Sequence, residues 1–173
     1  GIFAAGECAC VSVHGGNRLG GNSLLDTVVF GQRSGQRAAD YVLGMEIPKD
    51  SQQALESALK EEQDRVAALL ARDRTHLPAT IREKLTSTMS EQVGIFREPK
   101  PMQSALDTIR TLREEYARVG VGGKSRRFNL DLVRTLELRG MLDLAEVVTL
   151  GALARQESRG AHCRRDFLQR DDV

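Results

Sequence analysis

Residues 129–156 read NLDLVRTLELRGMLDLAEVVTLGALARQ, and this stretch decides the fold class. Asn129 is a favoured helix N-cap, so the helix is expected from Leu130 to about Gln156. Leu132, Val133, Leu136, Leu142, Ala145, Val147 and Val148 recur along it at helical spacing. They fall on more than one side, which predicts a helix buried on several faces at the centre of a bundle.

The same periodicity continues upstream. Pro101 and Pro99 are expected to break the chain before a helix running from about Met102 to Val119, with Ala105, Leu106, Ile109, Leu112 and Tyr116 as its stripe. Before it, Pro78 opens a helix whose apolar positions Ile81, Leu85, Met89, Val93 and Phe96 step by three or four. After Pro48, Ser51 is expected to cap a helix reaching about Ala71 through Leu55, Leu59, Val66, Leu69 and Leu70. Downstream, residues 157–173 are strongly charged and read as irregular. Several helices with short connections make an antiparallel helical bundle.

Residues 1–44 differ in character, holding nine of the sixteen glycines. GIFAAG predicts a short buried strand ending in a glycine turn, followed by a glycine-rich loop over residues 15–23. A helix to about Val42 follows, with Asn22 or Ser23 as N-cap, and it reads as buried. Gly31 and Gly35 lie four apart on one face of it, suited to close packing against a neighbour. The expected fold is therefore mainly α, an antiparallel bundle preceded by a short strand-loop-helix. The divisions are 1–44, a helical domain at 45–160 and a charged tail at 161–173.

Composition narrows the function. With 25 basic and 24 acidic residues and a net charge of +1, the chain lacks the broad basic footprint of a nucleic-acid or anionic-lipid binder. No apolar run approaches the roughly 20 residues of a membrane helix. No basic n-region of a signal peptide is visible. Cys8, Cys10 and Cys163 form no disulfide framework, so a reducing compartment is expected. CxC with scattered histidines is a poor metal site.

The chemistry is concentrated in Gly6-Glu7 and in Ser12-Val13-His14-Gly15-Gly16-Asn17-Arg18-Leu19-Gly20-Gly21-Asn22-Ser23-Leu24-Leu25-Asp26. A helix start preceded by glycines offers free N–H groups and a positive dipole end to an anionic or electron-rich group. Arg18 adds a planar cation matched to a carboxylate. Glu7 can accept hydrogen bonds from a ribityl or ribose hydroxyl. These residues point to an anion or cofactor pocket and leave open a glycine-rich turn with a surface arginine. His14 reads as a packing or supporting histidine, and His76 and His162 as structural or solvent-facing.

GIFAAGECACVSVHGGNRLGGNSLLD resembles the closing segment of the FAD-binding domain of succinate dehydrogenase and fumarate reductase flavoproteins. The tail Glu157-Ser158-Arg159-Gly160-Ala161-His162, with Arg170-Asp171-Asp172, resembles that family's C-terminal motif. Gly16 and Gly21 stand where alanine is usual, Cys163 where an aromatic is common and Leu168 where proline is common. The resemblance implies that Glu7 contacts FAD and that Asn22, Ser23 and Leu24 meet the isoalloxazine at the helix start. It implies that Arg18 clamps a carboxylate of the dicarboxylate substrate. It also implies FAD as cofactor of the intact subunit, an iron–sulfur subunit as partner, and a cytoplasmic location peripheral to the inner membrane through partner subunits.

The βαβ glycine fingerprint for the FAD pyrophosphate is not found here, nor is the capping domain that carries the proton-transferring arginine. The chain is therefore expected to hold one wall of the site, to bind no FAD alone and to contain no catalytic residue. L-aspartate oxidase is similar in its Arg-Leu and Asn-Ser-Leu-Leu segment, but Asp26 and the tail's Gly-Ala-His favour the succinate/fumarate branch. The reading from another class is a helical interaction module that binds the iron–sulfur subunit or self-associates.

Overall fold

The computed structural model describes residues 1–46 and 51–172. Among them are five helices, α1 (Asn22–Leu43), α2 (Ser51–Ala71), α3 (Pro78–Gln92), α4 (Pro99–Tyr116) and α5 (Leu130–Ala154). A 3-10 turn at Gly6–Cys8 precedes them, and two short strands, β1 (Phe96–Arg97) and β2 (Cys163–Arg164), complete the set. The chain divides into two compact units. One comprises Gly1–Ala54 with Arg159–Ala161, the other Leu55–Ser158 with His162–Val173.

The second unit is a helical bundle, and its core gives the helix directions. Ile81 and Leu85 near the start of α3 share a cluster with Ile109 and Leu112 late in α4 and with Leu138 and Leu142 in α5. Val93, just past α3, clusters instead with Met102 and Ala105 early in α4 and Ala152 late in α5. Helix α4 therefore runs antiparallel to both α3 and α5. A smaller cluster of Leu69, Val121 and Leu132 ties the end of α2 to the loop before α5. Asn129 caps α5 as expected, its side chain accepting from the Leu132 amide at 3.0 Å. Thr135 and Thr149 are fully buried in α5, and each hydroxyl donates back to the carbonyl four residues earlier at 2.7 Å.

Several expectations are corrected. Residues 1–5 form no strand: Ala5 is extended, but no neighbouring segment completes a ladder among the described residues, and Gly6–Cys8 turns instead. Helix α1 is capped by Gly21 rather than Asn22 or Ser23, with φ +81, a left-handed value glycine adopts without strain. Nor is α1 buried within the described residues. Asp26 is its one buried residue, while Leu24, Leu25, Val28 and Leu43 are exposed. A methyl group at Gly31 or Gly35 would meet no described atom within 4 Å, so the packing expected at those glycines is not made here.

Helix α4 starts at Pro99, earlier than expected. A proline in the first turn loses no hydrogen bond, so Pro99 opens the helix rather than breaking it. Phe96 leaves the helical stripe of α3 and sits exposed in β1. Helix α5 buries one stripe, from Leu132 to Ala152, whereas Val133, Val147 and Val148 face outward. Pro48 lies outside the described residues, and Ser51, expected as the cap, is instead the first residue of α2.

The tail is also better ordered than its composition predicts. Strand β2 pairs in parallel with β1, Phe96 opposite Cys163 and Arg97 opposite Arg164. Arg164 is 3% exposed and donates through Nη1 to the carbonyls of Ala152, Leu153 and Arg155 at 2.9–3.1 Å. It thereby supplies partners to the end of α5, where helical carbonyls otherwise have none. Its other edge holds the Asp166 carboxylate at 2.7 and 2.8 Å, and its guanidinium lies 4.9 Å from the centre of the Phe167 ring.

Candidate functional site

The glycine-rich loop before α1 encloses a hollow of about 380 Å³, lined among others by Glu7, His14, Gly16, Asn17 and Arg18. The local sequence explains its shape. The Gly6–Cys8 turn places Glu7 exposed on one side. Gly15 then adopts φ +64 and Gly21 φ +81, folding residues 14–18 back before α1 begins.

Arg18 is held from behind. Its Nη2 donates to Asp26 Oδ2 at 2.7 Å, and the Asp26 side chain is fully buried while that of Arg18 is 25% exposed. His14 Nε2 lies 3.4 Å from the same carboxylate oxygen, close enough for an ion pair in the protonated form but without a hydrogen bond. Asp26 Oδ1 and Arg18 Nε are both buried and have no hydrogen-bond partner. A buried donor or acceptor left unpaired costs about 1–3 kcal/mol, so this cluster is incompletely satisfied.

The structure thus brings Glu7 and Arg18 to one hollow. Asn22, Ser23 and Leu24 do not line it; they form the first turn of α1, where Leu24 is 76% exposed. That turn has no side-chain cap. The Asn22 amide donates to Leu19 O, and by helix geometry the amides of Ser23 and Leu24 have no acceptor within the helix. Asp26 is the residue sequence reasoning passed over as a member of the site. Its signal was a single carboxylate inside the apolar run Leu24-Leu25-Asp26-Thr27-Val28-Val29, since a buried acid needs a cationic partner.

The remaining candidates lie elsewhere. His76 shares a contact with the Thr75 hydroxyl. His162, 7% exposed, is set between Arg97, which donates to its Nδ1, and the Arg155 carbonyl at 3.3 Å from Nε2. Burial, together with the neighbouring charges of Arg97, Arg155 and Arg164, pushes the His162 imidazole below its usual pKa. The three cysteines are free thiols. Among the described residues no group of three or more His, Cys, Asp or Glu is placed to hold a metal ion, and no helix is long and apolar enough to cross a membrane.

Residues 82–173 match the family described as fumarate reductase flavoprotein C-term, and residues 1–24 match the family described as FAD binding domain. The fumarate reductase flavoprotein subunit of Haemophilus influenzae is 40% identical over 173 residues, which is 100% of this chain and 28% of that protein. The succinate dehydrogenase flavoprotein subunit of Coxiella burnetii is 40% identical over 183 residues, covering 100% of this chain and 29% of its own. A solved structure of a variant Escherichia coli quinol fumarate reductase superposes with a TM-score of 0.91 at 39% identity, over 99% of this chain and 29% of that one. The apo Mycobacterium smegmatis Sdh1 complex gives a TM-score of 0.85 at 42% identity, over 98% and 28%. The chain spans under a third of the length of these relatives.

Proposed function

The chain belongs to the fumarate reductase flavoprotein C-terminal family, and on that premise we propose that it is the C-terminal part of a subunit that interconverts succinate and fumarate with FAD. The observation that carries this reading is the arginine at the hollow. Arg18 is held by a buried carboxylate, its side chain is 25% exposed, and it lines the hollow together with Glu7. A preset planar cation of this kind is matched to a carboxylate, and the substrates of the reaction are dicarboxylates.

The residues present fit one wall of a flavin site. Glu7 offers a carboxylate to a ribityl hydroxyl, and the uncapped amides of Ser23 and Leu24, with Asn22 before them, suit the electron-rich edge of the ring. The flavin, when bound, supplies the hydride chemistry, and the protein fixes position and charge around it. Arg18 binds one carboxylate of the substrate and so holds the other carbons in register. This reading assigns the chain no catalytic residue and keeps it inactive by itself.

In the complete subunit we place the iron–sulfur subunit as partner and the complex on the cytoplasmic face of the inner membrane, attached through other subunits. Relatives described as quinol-fumarate reductase with menaquinol molecules and as Mycobacterium smegmatis Sdh1 in complex with UQ1 support the membrane setting. The test is succinate-driven bleaching of the flavin in the full-length flavoprotein that carries this chain. The wild type is expected to bleach, and Arg18→Ala is expected to lower kcat/KM about 100-fold or more, as loss of a substrate-orienting group does. Equal activity of the two proteins would refute the assignment of Arg18.

A further inference from the structure

The Arg18–Asp26 pair is unusual in what it leaves undone. One hydrogen bond joins Nη2 to Oδ2 at 2.7 Å. On the same two side chains a donor, Arg18 Nε, and an acceptor, Asp26 Oδ1, are buried and unpaired. These orphans are complementary. A fork of Nε and Nη2 on the two carboxylate oxygens would satisfy both, which is the bidentate arrangement arginine and carboxylate favour. Asp26 is also the one buried residue of α1, on a helix whose leucines and valines face outward. A fully buried carboxylate is costly unless it is paired, and the charged group it reaches is the arginine that lines the hollow.

We propose that Asp26 is the positioning residue for Arg18. It engages the inner edge of the guanidinium and turns the outer edge toward one carboxylate of the substrate. The proposal rests on the functional reading given above and adds to it the residue that sets the arginine's direction. Asp26 touches neither substrate nor flavin in this account and acts through Arg18 alone. His14, 3.4 Å from the shared oxygen, is the second positively chargeable group facing the carboxylate.

The test is a double-mutant cycle in the full-length flavoprotein carrying this chain, read as kcat and KM for succinate-driven flavin reduction. Asp26→Asn keeps the size and one acceptor oxygen but removes the charge, and Asp26→Glu restores the charge. In the Arg18 background Asp26→Asn is expected to lower kcat/KM about tenfold or more, mostly through KM, as misdirection of a clamp does. In the Arg18→Lys background the same change is expected to cost less than about twofold, because coupled residues do not add. Asp26→Glu is expected to recover part of the loss. An equal fall in both backgrounds, or no fall, overturns the proposal while wild-type activity stands. A wild type that does not bleach with succinate overturns the functional reading and this proposal with it. Should Asp26→Asn fail to fold, nitrogen NMR of the wild-type full-length flavoprotein decides. Hindered rotation of the Arg18 guanidinium is expected, and free rotation overturns the pairing.

Discussion

At the scale of single residues, Gly16 and Gly160 meet through bare backbone. A Cβ on Gly160 would stand 2.4 Å from the carbonyl of Gly16, and one on Gly16 would stand 2.7 Å from Arg159 O. Gly160 also holds φ +58, so an alanine there adds backbone strain to the overlap. The contact is joined by a hydrogen bond from the Ala161 amide to Gly16 O at 3.3 Å. Gly160→Ala is therefore expected to destabilise the unit containing the glycine loop by about 2 kcal/mol or more. Gly16→Ala, without a strained φ, should cost less. Differential protection of the loop amides in hydrogen exchange would measure both, and an unchanged pattern in Gly160→Ala would contradict the contact. This meeting could not be read from the sequence, where the glycines stand 144 positions apart. Asp26 is a milder case: the sequence shows a carboxylate in an apolar run, but only the fold shows that the run faces outward and the carboxylate inward.

At the scale of elements, the end of α5 depends on side chains that come after it. Arg164 donates to the carbonyls of Ala152, Leu153 and the C-cap Arg155, and His162 Nε2 donates to the last of these as well. Hydrogen bonds from a charged donor contribute about 1.5–3 kcal/mol, so Arg164→Met is expected to lower stability by about 2–3 kcal/mol in denaturant unfolding. A loss below about 0.5 kcal/mol would show that solvent replaces the guanidinium without cost.

His162 gives the pH dependence. Its folded pKa is depressed, chiefly by burial and further by Arg97, Arg155 and Arg164. The unfolded chain therefore takes up a proton first as pH falls. The stability contributed by neutral His162 is complete above about 6.5 and is lost as pH falls from there toward the lower folded value. Unfolding midpoints between pH 7.5 and pH 5.5 should drop in the wild type and drop less in His162→Gln. Parallel curves would contradict the assignment. The Asp166 carboxylate, held below its ordinary range by its hydrogen bonds to Arg164, adds a second loss only at more acidic pH.

Helix positions were legible in the sequence because leucine and isoleucine spacing and the prolines mark them directly, as at Pro78, Ile81 and Leu85. The tail was not. A charged composition reads as solvated, yet Arg164 is buried because helix-end carbonyls make an interior site for a guanidinium.

At the scale of the whole molecule, two apolar surfaces remain uncovered among the described residues. On α1 they include Leu24, Leu25, Val28 and Val29, and on α5 Leu144, Val147 and Val148. Sequence reading found the apolar residues of α1 and inferred burial. Apolar composition shows that a face needs cover, but it does not show that the cover lies in the same chain. Exposed surfaces of this kind invite association. The isolated chain is expected to self-associate, with a sedimentation coefficient that rises with concentration, and a monomer at every concentration would contradict that.

The central claim is that this chain builds one wall of a flavin and dicarboxylate site. The most direct measurement is the visible absorption spectrum of the purified chain as isolated, then with added FAD, then with succinate. The account predicts no bound flavin and no bleaching. Flavin that binds and bleaches on succinate would contradict it, because Arg18 and the start of α1 would then form a working site by themselves.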